Sequence, residues 1–247
     1  MSSALVAELR QKLQAIDGGG YRRRPALPFG VGAIDGALAN TGLRLDALHE
    51  VAAASPELAD DAAATLFLAG IAARAWGPVL WVVRRHDLFA PGLAQAGLAS
   101  TRVLYAEARD DAELLALMEE GLRHRGLGAV VGEAMRASMP ATRRLQLAAE
   151  GGRTVALLLR RHGRQGADPL ATPSAAVTRW RVACAPSAPL EAPGVGRARW
   201  RVSLVRQRGG ETHDWTVEAC DATGRLALPA QLADRPVAAG RAYPHAA

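Results

Sequence analysis

Residues 49–70 combine the parts from which a phosphate-binding site is built. An apolar segment, residues 48–54, runs into the turn-forming pair Ser55 and Pro56 and then into an alanine-rich segment with helical character. A strand, a loop and a helix in this order hold phosphate groups when the loop supplies glycines and a lysine. This loop has neither, and the only lysine in the chain is Lys12. We therefore expect the frame of a phosphate site without its binding chemistry.

The second residue with chemical potential is Glu133, which follows the apolar residues 129–131. An acidic residue at the end of a strand holds Mg²⁺ or a water on it in nucleotide hydrolases. Without a phosphate-binding loop, a simpler prediction is a carboxylate that pairs with a nearby arginine such as Arg136.

Other catalytic groupings are weak. The six histidines form no metal-spaced pair, Ser55 lacks the glycines that frame a nucleophile, and Cys184 and Cys220 have no metal-ligand spacing. The two cysteines are expected to be reduced, because no export signal precedes them. We expect no enzyme, no metal and no cofactor.

Positive charge is concentrated in the second half of the chain. Residues 51–120 carry 5 arginines against 10 acidic residues, whereas residues 121–247 carry 19 arginines against 9. This asymmetry is typical of a protein with a nucleic-acid or acidic partner, although solvated arginines give the same count.

The elements that would position these residues form an α/β domain. Apolar strands predicted at residues 78–85, 102–108, 128–134 and 154–161 alternate with helices, which is typical of a parallel sheet buried on both faces. Asp110 or Asp111 is expected to cap a helix predicted at residues 112–125, which Gly126 ends. After residue 165, three segments alternate at period two and are predicted to add antiparallel strands to one edge.

Two of these segments contain the string Arg-Trp-Arg-Val, at residues 179–182 and 199–202. At period two the tryptophans share the face that covers the core, whereas the arginines share the other face. In neighbouring strands the arginines would form a ladder, either open to solvent or covered by an anion or a partner carboxylate. The four candidate partner-binding arginines are Arg179, Arg181, Arg199 and Arg201.

The chain is predicted to have three parts: an N-terminal helix with a linker (residues 1–24), a core domain (25–235) and a tail (236–247). The helix has an apolar stripe that consists of Leu5, Leu9, Leu13 and Ile16. This stripe could dock on a second copy of the chain, on another protein or on its own domain. With no membrane span and no secretory signal in the sequence, we expect a cytoplasmic protein.

The order of these segments resembles the RecA superfamily. Residues 27–51 followed by residues 65–83 are similar to the opening of the RecA core, up to its second strand. Within the superfamily, residues 25–235 look closest to the ImuA family, on the strings LWVV (80–83), FAPGL (89–93), RRLQLAAE (143–150), LLLR (157–160) and the doubled RWRV.

The resemblance implies a RecA-like, mostly parallel sheet flanked by helices, with a degenerate nucleotide site. Matching Thr65 to the start of the first core helix aligns Gly-Lys-Thr of the ATPases with Ala62, Ala63 and Ala64, and assigns residues 58–61 to the loop before them. Glu133 is the residual acidic position. The resemblance also implies that loops after the Glu133 and Arg160 strands line a DNA channel, which makes six arginines DNA-binding candidates: Arg136, Arg143, Arg144, Arg160, Arg161 and Arg164.

For function, the resemblance implies a non-catalytic adaptor in translesion synthesis during the damage-induced (SOS) response. Its partners would be ImuB and an error-prone polymerase, with RecA, single-stranded DNA and self-association as further expectations. Two alternatives remain open: an atypical ATPase that uses Glu133, and a cell-division inhibitor of the DNA-damage response.

Overall fold

The computed structural model describes residues 25–163, 167–188, 194 and 196–229. Within this part of the chain, no helix is long and apolar enough to cross a membrane. Several predictions concern residues that lie outside the described ranges: the N-terminal helix with Leu5, Leu9, Leu13 and Ile16, the linker up to residue 24, Arg164, and the tail from residue 236.

Strands and helices alternate along the described chain. The strands are β1 (Ala26–Leu27), β2 (Leu43–Arg44), β3 (Leu48–Ala53), β4 (Val79–Val83), β5 (Val103–Glu107), β6 (Ala129–Ala134), β7 (Val155–Arg160), β8 (Thr178–Ala185), β9 (Arg199–Gln207) and β10 (His213–Glu218). The helices are α1 (Gly32–Asp35), α2 (Leu58–Arg74), α3 (Ala90–Gln95), α4 (Asp111–Arg123) and α5 (Met139–Ala149).

Within the described residues, eight strands form one sheet in the order β10-β9-β8-β3-β7-β6-β4-β5. Every pairing from β8 across to β5 is parallel. Strands β9 and β10 are antiparallel and complete the other side of the sheet. The mostly parallel sheet with antiparallel strands at its C-terminal edge confirms the predicted fold class.

Strand β8 differs from its prediction. All three strands after residue 165 were expected to be antiparallel, but β8 pairs in parallel with β3, with His49 opposite Thr178. Period-two alternation reports only that one face of a strand is covered, and does not report direction. The connection at residues 161–177 exceeds the roughly dozen residues that a parallel crossover needs.

Apolar side chains cover both faces of the sheet. On the α2 face, Phe67 packs against Trp180 with ring centroids 5.8 Å apart and against Trp200 at 6.4 Å. Both tryptophans are buried in this core, as the alternation of the Arg-Trp-Arg-Val strings predicts. On the other face, α4 and α5 pack over a second core that includes Leu114, Met118, Leu145 and Leu158.

The α4 helix begins as predicted and approaches the sheet closely. Asp110 is its N-cap and accepts a hydrogen bond from the Glu113 N–H at 2.9 Å. Gly132 of β6 lies beneath it, where a Cβ would come within 2.2 Å of the Met118 sulfur. Helix N-termini and the carboxyl ends of parallel strands meet at one edge of such a sheet. The β3–α2 connection and Glu133 near the end of β6 lie at this carboxyl edge.

Candidate functional site at the carboxyl edge of the sheet

The connection from β3 to α2 is short, and its polar groups bond to one another. The Asp60 carboxylate accepts hydrogen bonds from the Ser55 hydroxyl and from the Cys184 backbone N–H, both at 2.7 Å. Ser55 Oγ also accepts from the Glu57 N–H at 3.2 Å. A helix N-terminus carries partial positive charge that favours anions. Here the chain supplies the negative charge itself, through Asp60 and Asp61 in the first turn.

The predicted alignment of Ala62, Ala63 and Ala64 with Gly-Lys-Thr needs correction. Helix α2 begins at Leu58, so residues 58–61 are its first turn and not a loop. Ala63 and Ala64 lie in the next turn and are buried in the core. The alanine-rich sequence has no cap residue or glycine to mark where the helix begins. The alignment therefore placed the start of the helix too late in the sequence, because residues 58–61 are already helical.

Glu133 ends up in a bonded network with three other side chains. One of its oxygens accepts from the Trp81 indole N–H at 2.6 Å. The other accepts from Arg161, with Nη2 at 2.6 Å and Nε at 3.1 Å. The same guanidinium also bonds to Asp61 through Nη1. The predicted pairing of Glu133 with an arginine is confirmed, but the partner is Arg161 at the end of the neighbouring strand and not the suggested Arg136.

Arg161 thus joins the acidic position after β6 to the first turn of α2. Burial opposes its charge, yet Glu133 and Asp61 together raise the pKa of the guanidinium above its ordinary value. A permanently charged guanidinium can satisfy two carboxylates at once. We call this set, Asp61, Glu133, Arg161 and Trp81, the Arg161 bridge.

A second charged cluster lies on the opposite face of the sheet. Glu50 of β3 is fully buried, and one oxygen pairs with Arg160 of β7 at 3.0 Å while the other pairs with Arg179 of β8 at 2.7 Å. Arg160 Nε and Arg179 Nη2 are buried without a hydrogen-bond partner in the described structure. Removing one partner from a buried ion pair typically costs about 3–5 kcal/mol. The cluster therefore requires Glu50.

Strand arginines also hold down the segment of residues 168–175. Arg179 donates to the Leu170 carbonyl at 2.8 Å, and Arg181 pairs with Asp168 at 2.6 Å. From β9, Arg206 donates to the Ser174 carbonyl at 2.9 Å. The segment follows β7, where the resemblance implies a DNA-channel loop, and it is fastened to the sheet.

The predicted arginine ladder is not formed. Arg181 lies opposite Ser203, Arg201 opposite Ala183, and Arg199 opposite Ala185. Arg179 is buried on Glu50. Arg201 is exposed and Arg199 is half-buried. The antiparallel register of β8 and β9 shifts the two strings past each other, so that none of these four arginines faces another of the four. Arg179 lies opposite Arg206, whose side chain bonds to the Ser174 carbonyl.

The DNA-binding candidates separate into two groups. Arg160 and Arg161 are engaged in the internal ion pairs described above, on opposite faces of the sheet. Arg136 and Arg143 are exposed, and Arg144 approaches Glu119 of α4 at 3.4 Å. The five of these arginines that the structure describes therefore do not form one continuous rim.

No protein-family model matches the sequence. The curated protein ImuA of Caulobacter vibrioides, in strain NA1000 / CB15N and again in strain ATCC 19089 / CIP 103742 / CB 15, is 42% identical over 230 residues, which cover 88% of this chain and 94% of the relative. The chain belongs to the ImuA family. This membership confirms the resemblance and supports a role connected with DNA damage and mutagenesis.

The fold of this ImuA-family chain is also similar to a solved structure. A crystal structure of the RadB recombinase matches with a TM-score of 0.56 and 13% identity, covering 82% of this chain and 99% of that one. At this identity the likeness concerns the fold alone. It confirms a RecA-like core for the ImuA-family chain.

Sequence reasoning missed Glu50 and the bonding roles of Asp60 and Asp61. The signal for Glu50 was present, because a charged residue inside the apolar strand LHEVAA must be paired if that strand is buried. The signal for Asp61 was its charge, opposite to that of the arginines after β7. Neither signal identifies which arginine pairs, since strand order decides that.

Proposed function

We propose that this ImuA-family chain is a non-catalytic, RecA-like adaptor of damage-induced translesion synthesis, in which a protein contact at the carboxyl edge has replaced nucleotide binding. The observation that carries the proposal is the Arg161 bridge. In RecA-like ATPases a lysine and Mg²⁺ bring positive charge to the phosphates. In this chain the guanidinium of Arg161 supplies positive charge between Asp61 and Glu133 and is already neutralised by them.

The residues around the bridge disfavour a triphosphate. Asp60 and Asp61 both lie in the first turn of α2, where their charges would repel phosphate oxygens. Both oxygens of Glu133 already accept hydrogen bonds, one from Trp81 and the other from Arg161, so a metal would have to compete with these donors. Nucleotide binding would require the bridge to break.

Exposed apolar side chains support a protein partner at this edge. Leu58 at the start of α2 is 83% exposed, and Phe89 before α3 is 70% exposed. Met135 after β6 and Met139 at the start of α5 are also exposed. All four follow the carboxyl ends of β3, β4 or β6, and we call them the carboxyl-edge apolar set. Apolar side chains gathered on one surface favour a protein contact.

The partners in this proposal are ImuB and an error-prone polymerase, with ImuB as the first to test. RecA and single-stranded DNA are secondary partners. Arg136 and Arg143 would serve DNA, since they are exposed and no described side chain pairs with them.

A pull-down with purified ImuB tests the proposal. We expect the double variant Leu58→Ser with Phe89→Ser to retain at least about tenfold less ImuB, because burying each side chain contributes about 1.5–3 kcal/mol before ordering costs. The melting temperature should stay close to that of the unmodified protein, since both side chains are exposed.

Trp76→Ser is the matched control. Trp76 is 92% exposed but lies between α2 and β4, at the opposite edge of the sheet. The Trp76→Ser variant should bind ImuB as well as the unmodified protein does. Unchanged ImuB binding in the double variant, or an equal loss in the Trp76 variant, would contradict the use of the carboxyl edge.

A further inference from the structure

A groove lies at the other end of the molecule, between the C-terminal halves of α4 and α5. Its volume is about 490 Å³, within the range of roughly 300–1,000 Å³ that ligand sites have. Because α4 and α5 begin at the carboxyl edge, their C-terminal halves lie toward the amino edge. The groove is therefore a second surface, and inferences about it do not depend on the adaptor role.

Three arginines line the groove, and they are incompletely neutralised. Arg123 and Arg144 share the single carboxylate of Glu119, at 2.5 Å and 3.4 Å, and each keeps 62% of its side chain exposed. Arg125 also lines the groove and makes no ion pair or side-chain hydrogen bond with any described residue. Glu150 is hydrogen-bonded to Gln146 at 3.1 Å. The groove can accept further carboxylates.

The groove also offers an apolar contact. Leu147 of α5 is 58% exposed, and the groove extends from it to Leu122 of α4. The backbone at the two helix ends is partly bonded within the chain, since the Glu120 carbonyl accepts from the His124 N–H and the Gln146 carbonyl accepts from the Glu150 N–H. The exposed leucine is therefore the feature that suits an aliphatic side chain of a peptide.

These features distinguish between two kinds of acidic ligand. Glu119 and Glu150 oppose the approach of any anion, so they do not favour one ligand over the other. Leu147 does, because a peptide supplies aliphatic side chains together with carboxylates, whereas the phosphates of a nucleic acid gain nothing from an exposed leucine. The chain's own undescribed ends do not supply the carboxylates, because residues 1–24 carry five basic and two acidic residues and residues 230–247 carry two basic and one acidic.

We propose that the α4–α5 groove binds an acidic peptide segment of a partner protein, with an aliphatic side chain packed on Leu147 and a carboxylate paired with Arg125. Such a peptide meets the unneutralised arginines and covers the exposed leucine in one extended conformation.

Fluorescence anisotropy with the full chain and a labelled peptide of alternating glutamate and leucine tests this proposal. We expect binding that weakens with salt, as charge pairing at an exposed site does. The variant Arg125→Glu with Leu147→Ser should bind at least about tenfold more weakly. Arg85→Glu is the matched control, because Arg85 is an exposed arginine outside the groove lining.

Preferential binding of the acidic peptide, lost in the groove variant and kept in the control, supports the proposal. A peptide with lysine in place of glutamate that binds equally well would overturn it. Labelled oligothymidine that binds in place of the peptide, with the same dependence on Arg125, would assign the groove to nucleic acid. Equal affinity in the groove variant would show that the peptide binds elsewhere.

Discussion

Arg161 and Glu50 organise the charged interior through side chains from different strands. Arg161 follows β7 and reaches Asp61 and Glu133 on one face of the sheet. Glu50 holds Arg160 and Arg179 on the other. Buried charges are tolerated only when they are paired and hydrogen-bonded. The consecutive arginines after residue 159 therefore serve two separate clusters, and neither is free to bind phosphate.

The buried His49 makes the folding stability of the protein depend on pH. Its ring accepts a hydrogen bond from the Thr178 hydroxyl and donates one to the Arg44 carbonyl. Burial lowers the pKa of His49 from 6.5 to about 4, and the bond to Arg44 only partly opposes this. The unfolded chain then binds more protons between pH 4 and 6.5, so stability should be full above that window and fall by about 3 kcal/mol as the pH drops through it.

Urea unfolding from pH 4 to pH 7 measures this dependence. The variant His49→Gln should have a flatter profile across the window, whereas His124→Gln should keep the slope, because His124 is exposed. A slope that is the same with and without the His49 imidazole would assign the acid sensitivity to other groups.

At the scale of elements, the sequence predicts most of the fold. Apolar strands alternating with helices predict the parallel sheet, and Asp110 marks the start of α4, as found. The direction of β8 and the start of α2 are not predictable in the same way. Alternation carries no directional information, and residues 58–64 offer only the acidic pair Asp60 and Asp61 as a signal for the first helical turn, with no side-chain cap before it. The pairing of Arg161 with Glu133 depends on β7 lying beside β6, which only the tertiary structure decides.

The segment of residues 168–175 is expected to depend on strand arginines for its order. Because Arg181 and Arg206 bond to Asp168 and Ser174, removing both side chains should loosen the segment while β7 remains intact. Hydrogen exchange followed by mass spectrometry should detect faster exchange in this segment for Arg181→Ala with Arg206→Ala, because local opening becomes easier.

Arg201→Ala is the control for this prediction, since Arg201 is an exposed arginine of β9 without a bond to the segment. Its exchange should match that of the unmodified protein. Exchange in residues 168–175 that does not respond to the double substitution would mean that backbone packing, and not the arginines, holds the segment.

For the whole molecule, the two edges of the sheet have different surfaces. The carboxyl edge has an internally neutralised acidic centre, the Arg161 bridge, and the exposed residues of the carboxyl-edge apolar set. The amino edge has the basic α4–α5 groove. An adaptor needs two separate surfaces to hold two partners, and the excess of arginine after residue 120 contributes to the second one.

We propose that the protein's own charges replace the nucleotide site of the RecA fold. Titration calorimetry with ATP and Mg²⁺ tests this replacement. Asp60 and Asp61 lie at the N-terminus of α2, and Arg161 is bonded to Glu133. We therefore expect no ATP hydrolysis and no dissociation constant for ATP below about 1 mM, which is a binding free energy of about 4 kcal/mol. A micromolar dissociation constant for ATP would contradict the account.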